Sequence, residues 1–385
     1  MDYRYTLFLS SLLFILISCS NVKEYESFFD AQHQGDAVIS IETLNLDTIL
    51  LKDIESSYTG YVDIYNDTLC FIDARFGWIF LFDNEGKLRN RKLGQGRGPM
   101  ELNTSYIDAY CFLDDGRKIF IGSSLDVHLY NREGYRSEQS RIEWRGKYDY
   151  SNIANVSNPL PDEISVYTLS YEQLIIREHD NYIYANIHSE HDNFNMYRKT
   201  FYEEGRILAK IDMDNWKVID ILGRRSPEYL KYEYVGHLSY VSFDISSQGD
   251  FYVNYEIDPS IYVYDSDFNL KYSFGIPGKN MNLEYKELDK ITPSSYREMY
   301  YNEKPRSGYY KDVKYFSEGD ILFRTYNKGG NSLEDGLQIY KANNLIGDVA
   351  IPKGCKVRGY IAPYYYMEGK IDEDNETIPV YRFRI

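Results

Sequence analysis

Apolar and polar residues alternate along this chain in short runs broken by turn-forming pairs, the pattern of β-strands joined by tight hairpins. The clearest unit runs from 61 to 101. A short apolar run meets a turn at Asn66-Asp67, a second spans Leu69 to Ile72, and a third spans Trp78 to Phe82. A turn at Asp83-Asn84-Glu85-Gly86 leads to a fourth run from Leu88 and to the exit sequence GQGRGPME (94–101). Four short strands of this kind cannot bury both of their faces alone, so a unit that recurs predicts a propeller or an array.

The unit recurs six times by its hairpin turns: Asn66-Asp67, Asp114-Asp115-Gly116, His179-Asp180-Asn181, Gln248-Gly249-Asp250, Glu318-Gly319-Asp320 and Glu368-Gly369. Asn, Asp and Gly are the residues that two-residue hairpins require, because they tolerate positive φ. A second series aligns without gaps: IFLFDNEGKL (79–88), VHLYNREGYR (127–136), AKIDMDNWKV (209–218), IYVYDSDFNL (261–270) and LQIYKANNLI (337–346). Its sixth member would begin at Ile378, but the sequence stops at Ile385, so the last blade lacks its outermost strand. The pattern therefore predicts an all-β, six-bladed β-propeller of four-stranded antiparallel blades over 37–385, closed by an N-terminal strand pairing with the C-terminal blade. The orphan run at 38–44 is the expected closing strand, set against 378–384, because an open blade edge is a liability.

The longer connections fall at 145–167, 188–205, 276–310 and 327–336. In a four-stranded meander all of these lie on one face of the disc, whereas the tight turns lie on the other. Binding residues concentrate on loops held by a rigid scaffold, which makes the elaborated face the expected functional face.

Composition adds the address. The net charge of −16 argues against nucleic acid and against electrostatic docking on anionic lipid. Aromatic residues make up 16% of the chain, with 41 Tyr, which suits half-buried pleated surfaces. Arg4 precedes an apolar run from Leu7 to Ile17, too short to span a bilayer and typical of a secretory signal. The run ends in Leu16-Ile17-Ser18-Cys19, which resembles a bacterial lipobox. The resemblance implies removal of 1–18, acylation of Cys19 and a membrane partnership through that lipid; 19–36 then reads as a polar tether. Cys70, Cys111 and Cys355 have no metal-ligand spacing and read as structural, the first two as small buried hydrophobes inside strand runs.

Few motifs carry chemistry. Gly94-Gln95-Gly96-Arg97-Gly98-Pro99-Met100-Glu101 lacks the Lys-Ser/Thr of a phosphate loop and leads to no helix, so its glycines read as a tight crossing between blades. This exit resembles the Gly-Pro-Glu crossing of the TolB-like six-bladed β-propeller lipoproteins of Gram-negative bacteria. That resemblance implies a fold and an outer-membrane address, on the periplasmic or the surface side, and little chemistry. Arg97 and Glu101 are candidates for the axial pocket or for a salt bridge. His179, His188 and His191 do not have convergent spacing for an ion, Asp265 to Ile276 departs from a calcium loop at its sixth and twelfth positions, and neither metal nor cofactor is expected. Tyr300, Tyr301, Tyr309 and Tyr310, inside the longest insertion, are candidates to meet a sugar or peptide. With no catalytic signature present, the expected function is a non-catalytic binding module of the cell envelope for a glycan, peptide or protein. The alternatives are a propeller-scaffold enzyme acting on polysaccharide and a structural subunit of an envelope complex.

Overall fold

A computed structural model describes residues 28–148, 150–170, 173–288 and 292–385. The signal segment and Cys19 lie outside the described residues. Six sheets are built on one plan, each a meander from an inner to an outer strand. Blade 1 runs from Gly60–Tyr65 to Leu88–Leu93, blade 2 from Ile107–Phe112 to Arg136–Arg141, and blade 3 from Ile176–His179 to Lys217–Leu222. Blade 4 runs from Val241–Ile245 to Leu270–Phe274, blade 5 from Tyr309–Phe316 to Asn344–Pro352, and blade 6 from Lys356–Ile361 to Ile378–Phe383.

Each blade is sandwiched between neighbours, so its middle strands must be apolar on both sides. The second strands show this directly: Lys118–Gly122, Phe251–Tyr255 and Ile321–Asn327 are buried throughout. The apolar clusters follow the circle. One joins blades 1 and 2 through Ile72, Ile79 and Phe120, and a large one joins blades 2, 3 and 4. Others join blade 4 to 5, 5 to 6, and 6 back to 1. At that last seam the inner strands approach so closely that a Cβ at Gly359 would collide with Ile64.

The ring closes as an N-terminal strand pairs with the C-terminal blade, but through a different segment from the expected one. Asp47–Leu51 lies antiparallel to Ile378–Phe383, with Asp47 opposite Arg382 and Leu51 opposite Ile378. Its buried side chains, Ile49 and Leu51, alternate with exposed Thr48 and Leu50. The run at 38–44 is instead represented by Ala37–Ile41, which adds in parallel to the outer edge of blade 5 at Asn344–Pro352. The reason lies in burial: Val38 and Ile39 are exposed, so Ala37–Ile41 covers an edge without entering a core. Residues 28–36 are the described part of the expected tether; Asp36 meets Asn344 and Leu345 of blade 5, and 28–34 dock on blade 4. There Phe28 and Phe29 meet the rings of Tyr264 and Tyr262 at 5.8 and 5.1 Å, and the Gln34 amide donates to the Ser273 carbonyl at 2.7 Å.

A second correction concerns blade 6, whose first hairpin turns at Ala362-Pro363, while Glu368-Gly369 opens its next loop. A proline turn carries no Asn, Asp or Gly signature. The expected insertion at 327–336 is also shorter, since strand extends to Asn327 and resumes at Glu334.

Leu51 is 0% exposed and Val38 60%. Leu51→Ala should therefore lower stability to urea by about 2–5 kcal/mol, and Val38→Ala by less than about 0.5 kcal/mol. The reverse order would return the closing role to 37–44.

Candidate functional site

The inner strands surround an axial cavity of about 860 Å³. Side chains of a strand alternate in direction, and the inner strands of five blades place charge on the cavity. Blade 1 contributes Asp63, blade 2 Asp108, blade 3 Arg177, blade 5 Lys311, Asp312 and Lys314, and blade 6 Lys356 and Arg358. Blade 4 contributes Asp244, buried behind the wall, which takes Arg177 at 2.5 Å and Lys314 at 3.2 Å and also accepts from the Tyr315 amide. These cations hold the Asp244 carboxyl below the usual range against its burial. Asp63 differs: burial pushes its carboxyl up despite nearby Lys314 and a hydrogen bond from the Tyr110 hydroxyl at 2.8 Å. Burial also raises Asp108.

A second cavity, of about 630 Å³, opens on the elaborated face. It is built from the connections of blades 2, 3 and 4, including the loop at 189–207 and the crossing that follows blade 4. Helix Lys199–Glu204 buries Phe201 and Tyr202 and stops at Gly205. Helix Pro293–Glu298 is fixed by a capping box in which the Thr292 hydroxyl accepts from the Ser295 amide at 3.2 Å. These two helices bring Phe201 and Tyr296 to the wall, and the rings of Tyr197 and Tyr296 meet edge to face at 5.3 Å. Arg225 forms the floor: it is buried, donates to the Ser239 carbonyl and lies 4.6 Å from the Phe201 ring. Burial and the Arg225 charge push the neighbouring His188 imidazole down to about 4.

The sequence-derived candidates fall elsewhere. Arg97 and Glu101 are exposed on the crossing from blade 1 to blade 2 and line neither cavity. No ion pair joins them among the described residues; the Glu101 carboxylate accepts from the Gly98 amide at 2.8 Å and so braces the glycine turn. Tyr309 and Tyr310 begin the inner strand of blade 5 and are not part of an insertion. The Tyr310 ring stacks on the Arg324 guanidinium at 3.9 Å, and Arg324 ties blade 5 to the carbonyls of Pro259 and Ile276. Tyr300 and Tyr309, with Tyr240, surround the Lys304 ammonium, which pairs with buried Glu256 at 2.6 Å. These rings serve a cation of the protein itself. Of the four tyrosines, Tyr301 is the exposed one, at 67%.

His191 is committed to backbone, with Nε2 3.1 Å from the Ile153 carbonyl and Nδ1 accepting from the Asn193 amide. Cys70 and Cys111 are buried within strands, as expected, Cys355 is buried between two strands, and none of the three is paired among the described residues; burial pushes the Cys111 thiol up to about 11.

His188 and His237 carry a pH dependence. Burial depresses both to about 4, with Arg225 acting on the first and Lys304 and Lys286 on the second. The unfolded chain protonates these imidazoles below about 6.5 while the folded chain does not, so their contribution is complete above about 6.5 and fades as pH falls toward 4. The loss between pH 6.5 and 5 is roughly 2 kcal/mol per histidine. The raised carboxyls of Asp63 and Asp108 act in the opposite sense, so the test is comparative. Replacing both histidines by Gln should flatten the urea-midpoint profile between pH 7 and 5, and an unaltered slope would refute the assignment.

Comparison with solved structures places the architecture. A member of the DUF4221 family from Bacteroides vulgatus superposes with a TM-score of 0.62 at 12% identity, covering 89% of this chain and 98% of that one. Virginiamycin B lyase from Staphylococcus aureus gives a TM-score of 0.42 at 11% identity, over 88% of this chain and 99% of its own. A luciferin-regenerating enzyme gives 0.45 at 11% identity, over 88% and 96%. No family model and no curated protein matches the chain. At these identities the likeness is one of fold, and the chain is a six-bladed β-propeller.

Proposed function

We propose that this propeller is a non-catalytic binding module of the cell envelope, anchored by lipid on Cys19 and related in architecture and address to the TolB-like lipoproteins. Its ligand seat is the cavity on the elaborated face. The observation that carries this reading is a recess of about 630 Å³ walled by Tyr197, Tyr240, Tyr296 and Phe201 and edged by Asn186, Asn195 and Ser189. Small-molecule sites occupy roughly 300–1,000 Å³ and combine apolar walls with a few convergent polar groups. Flat aromatic rings beside amide and hydroxyl groups suit a sugar ring or a peptide segment. The recess is made mostly of connections, with Asn186 and His188 reaching it from the second strand of blade 3, while the opposite face carries tight turns.

Two outcomes check this reading. On arrays of envelope oligosaccharides and peptides, Tyr296→Ala should weaken retained ligands at least tenfold, whereas Tyr301→Ala, outside the recess, should leave them unchanged. Equal binding by both variants would contradict the seat. Replacing Cys19 by Ser should move the protein from the membrane fraction to the soluble fraction, and continued membrane fractionation would contradict the anchor.

A further inference from the structure

The axial cavity holds more acid than base: six carboxyls and five cations line it. Four of those cations are committed to carboxylates standing behind the wall. Arg177 and Lys314 share Asp244, Lys311 pairs with buried Asp335 at 2.7 Å, and Arg358 pairs with Glu368 at 2.5 Å. The fifth, half-buried Lys356, is left to offset all six carboxyls. Asp312 of blade 5 is 7% exposed, and its carboxyl makes no hydrogen bond or ion pair among the described residues. Lys356 is near enough to feel that charge. Even so, Asp63 and Asp108 remain on the wall of blades 1 and 2, and neither has an ion pair among the described residues.

These acids form two tiers along the axis. Asp63, Asp108 and Asp312 sit within the inner strands. Exposed Asp67, Asp114 and Glu318 stand at the first hairpin turns of blades 1, 2 and 5, where the cavity reaches the tight-turn face. At the rise of a β-strand the tiers are on the order of 10 Å apart. Among the described residues no three His, Cys, Asp or Glu side chains converge to hold a metal ion. The excess charge is therefore spread along the axis, which suits an elongated cation. The wall beside Asp63 and Asp108 is aromatic: the Tyr61 and Tyr110 rings lie 5.2 Å apart, and the Tyr110 hydroxyl holds the Asp63 carboxylate at 2.8 Å. Carboxylates next to tyrosine rings are favourable surroundings for an alkylammonium group, and acids at the mouth of a cleft draw cations in.

We propose that the axial cavity binds a linear polyamine, with one ammonium at Asp63 and Asp108 and another at the mouth among Asp67, Asp114 and Glu318. This site is separate from the recess on the elaborated face and stands independently of the envelope reading.

The test uses the full chain at low ionic strength and four probes: spermidine, methylamine, magnesium ion and acetate. By titration calorimetry spermidine should bind saturably, one molecule per chain, and the other three at least tenfold more weakly. Asp108→Asn removes a charge without removing a hydrogen bond and should weaken spermidine at least tenfold. Asp67→Asn, at the mouth, should weaken it at least threefold, whereas Glu42→Gln, exposed and outside the cavity, should leave it unchanged. The ranking of probes is read on the unaltered protein, so it decides the matter even where a variant fails to fold. The proposal is overturned if spermidine does not saturate, if methylamine, magnesium or acetate matches it, or if Asp108→Asn binds it as wild type does. It is equally overturned if Glu42→Gln costs as much as Asp108→Asn, which would mark attraction to the net charge of −16 alone.

Discussion

The ladder between Asp47–Leu51 and Ile378–Phe383 is the contact on which the rest of the molecule depends. Blade 6 takes three strands from the carboxyl-terminal part of the chain and its fourth from near the amino terminus. Without that fourth strand, the backbone donors and acceptors of Ile378–Phe383 would face water along one edge. The apolar seam containing Ile49, Leu51, Phe71 and Val380 would also lose part of one side. Arg382 also pairs with Asp47 across the ladder and with Glu85 of blade 1 across the seam. With both acids largely exposed they add little, so the seam is held by buried side chains and the ladder.

Closing the circle determines what lies on the axis. Six inner strands brought together turn one edge each toward a common centre, where side chains from different blades meet. Charges that would be isolated on single sheets become partners: Asp244 of blade 4 receives Arg177 of blade 3 and Lys314 of blade 5. Breaking such a buried network by removing one partner commonly costs 3–5 kcal/mol, because it strands the others. The axis is thus a structural feature and a polar cavity together. The elaborated face is arranged differently, with its recess built on loops and short helices above the sheets.

Much of the fold was legible because propeller blades repeat their chemistry. Two-sided burial writes apolar middle strands such as IFLF and KIFI, and hairpins write Asn-Asp or Asp-Gly, so the number of blades could be counted. Where another residue type makes the same turn, as at Ala362-Pro363, the hairpin leaves no such mark. The closing strand was misplaced because 38–44 and 47–51 are both short apolar runs, and only burial separates exposed Val38 from buried Leu51. The tyrosines misled for a related reason. A Tyr pair looks the same whether it faces a ligand or an internal cation, and Lys304 and Arg324 claim Tyr309 and Tyr310. The axial residues did leave a trace: each first strand carries a charge inside an otherwise strand-like run, as in GYVDIY, IDAYCF, VSFDI and KVRGYI. That signal acquires meaning only once those strands are known to be innermost.

Native-state hydrogen exchange tests the closure most directly. If Asp47–Leu51 completes blade 6, the amides it shares with Ile378–Phe383 should open only with global unfolding, at the same free energy as the central strands of blades 1 and 5. The parallel strand Ala37–Ile41 should exchange earlier. Local fraying of Ile378–Phe383, well below the global value, would contradict a ring closed at this seam.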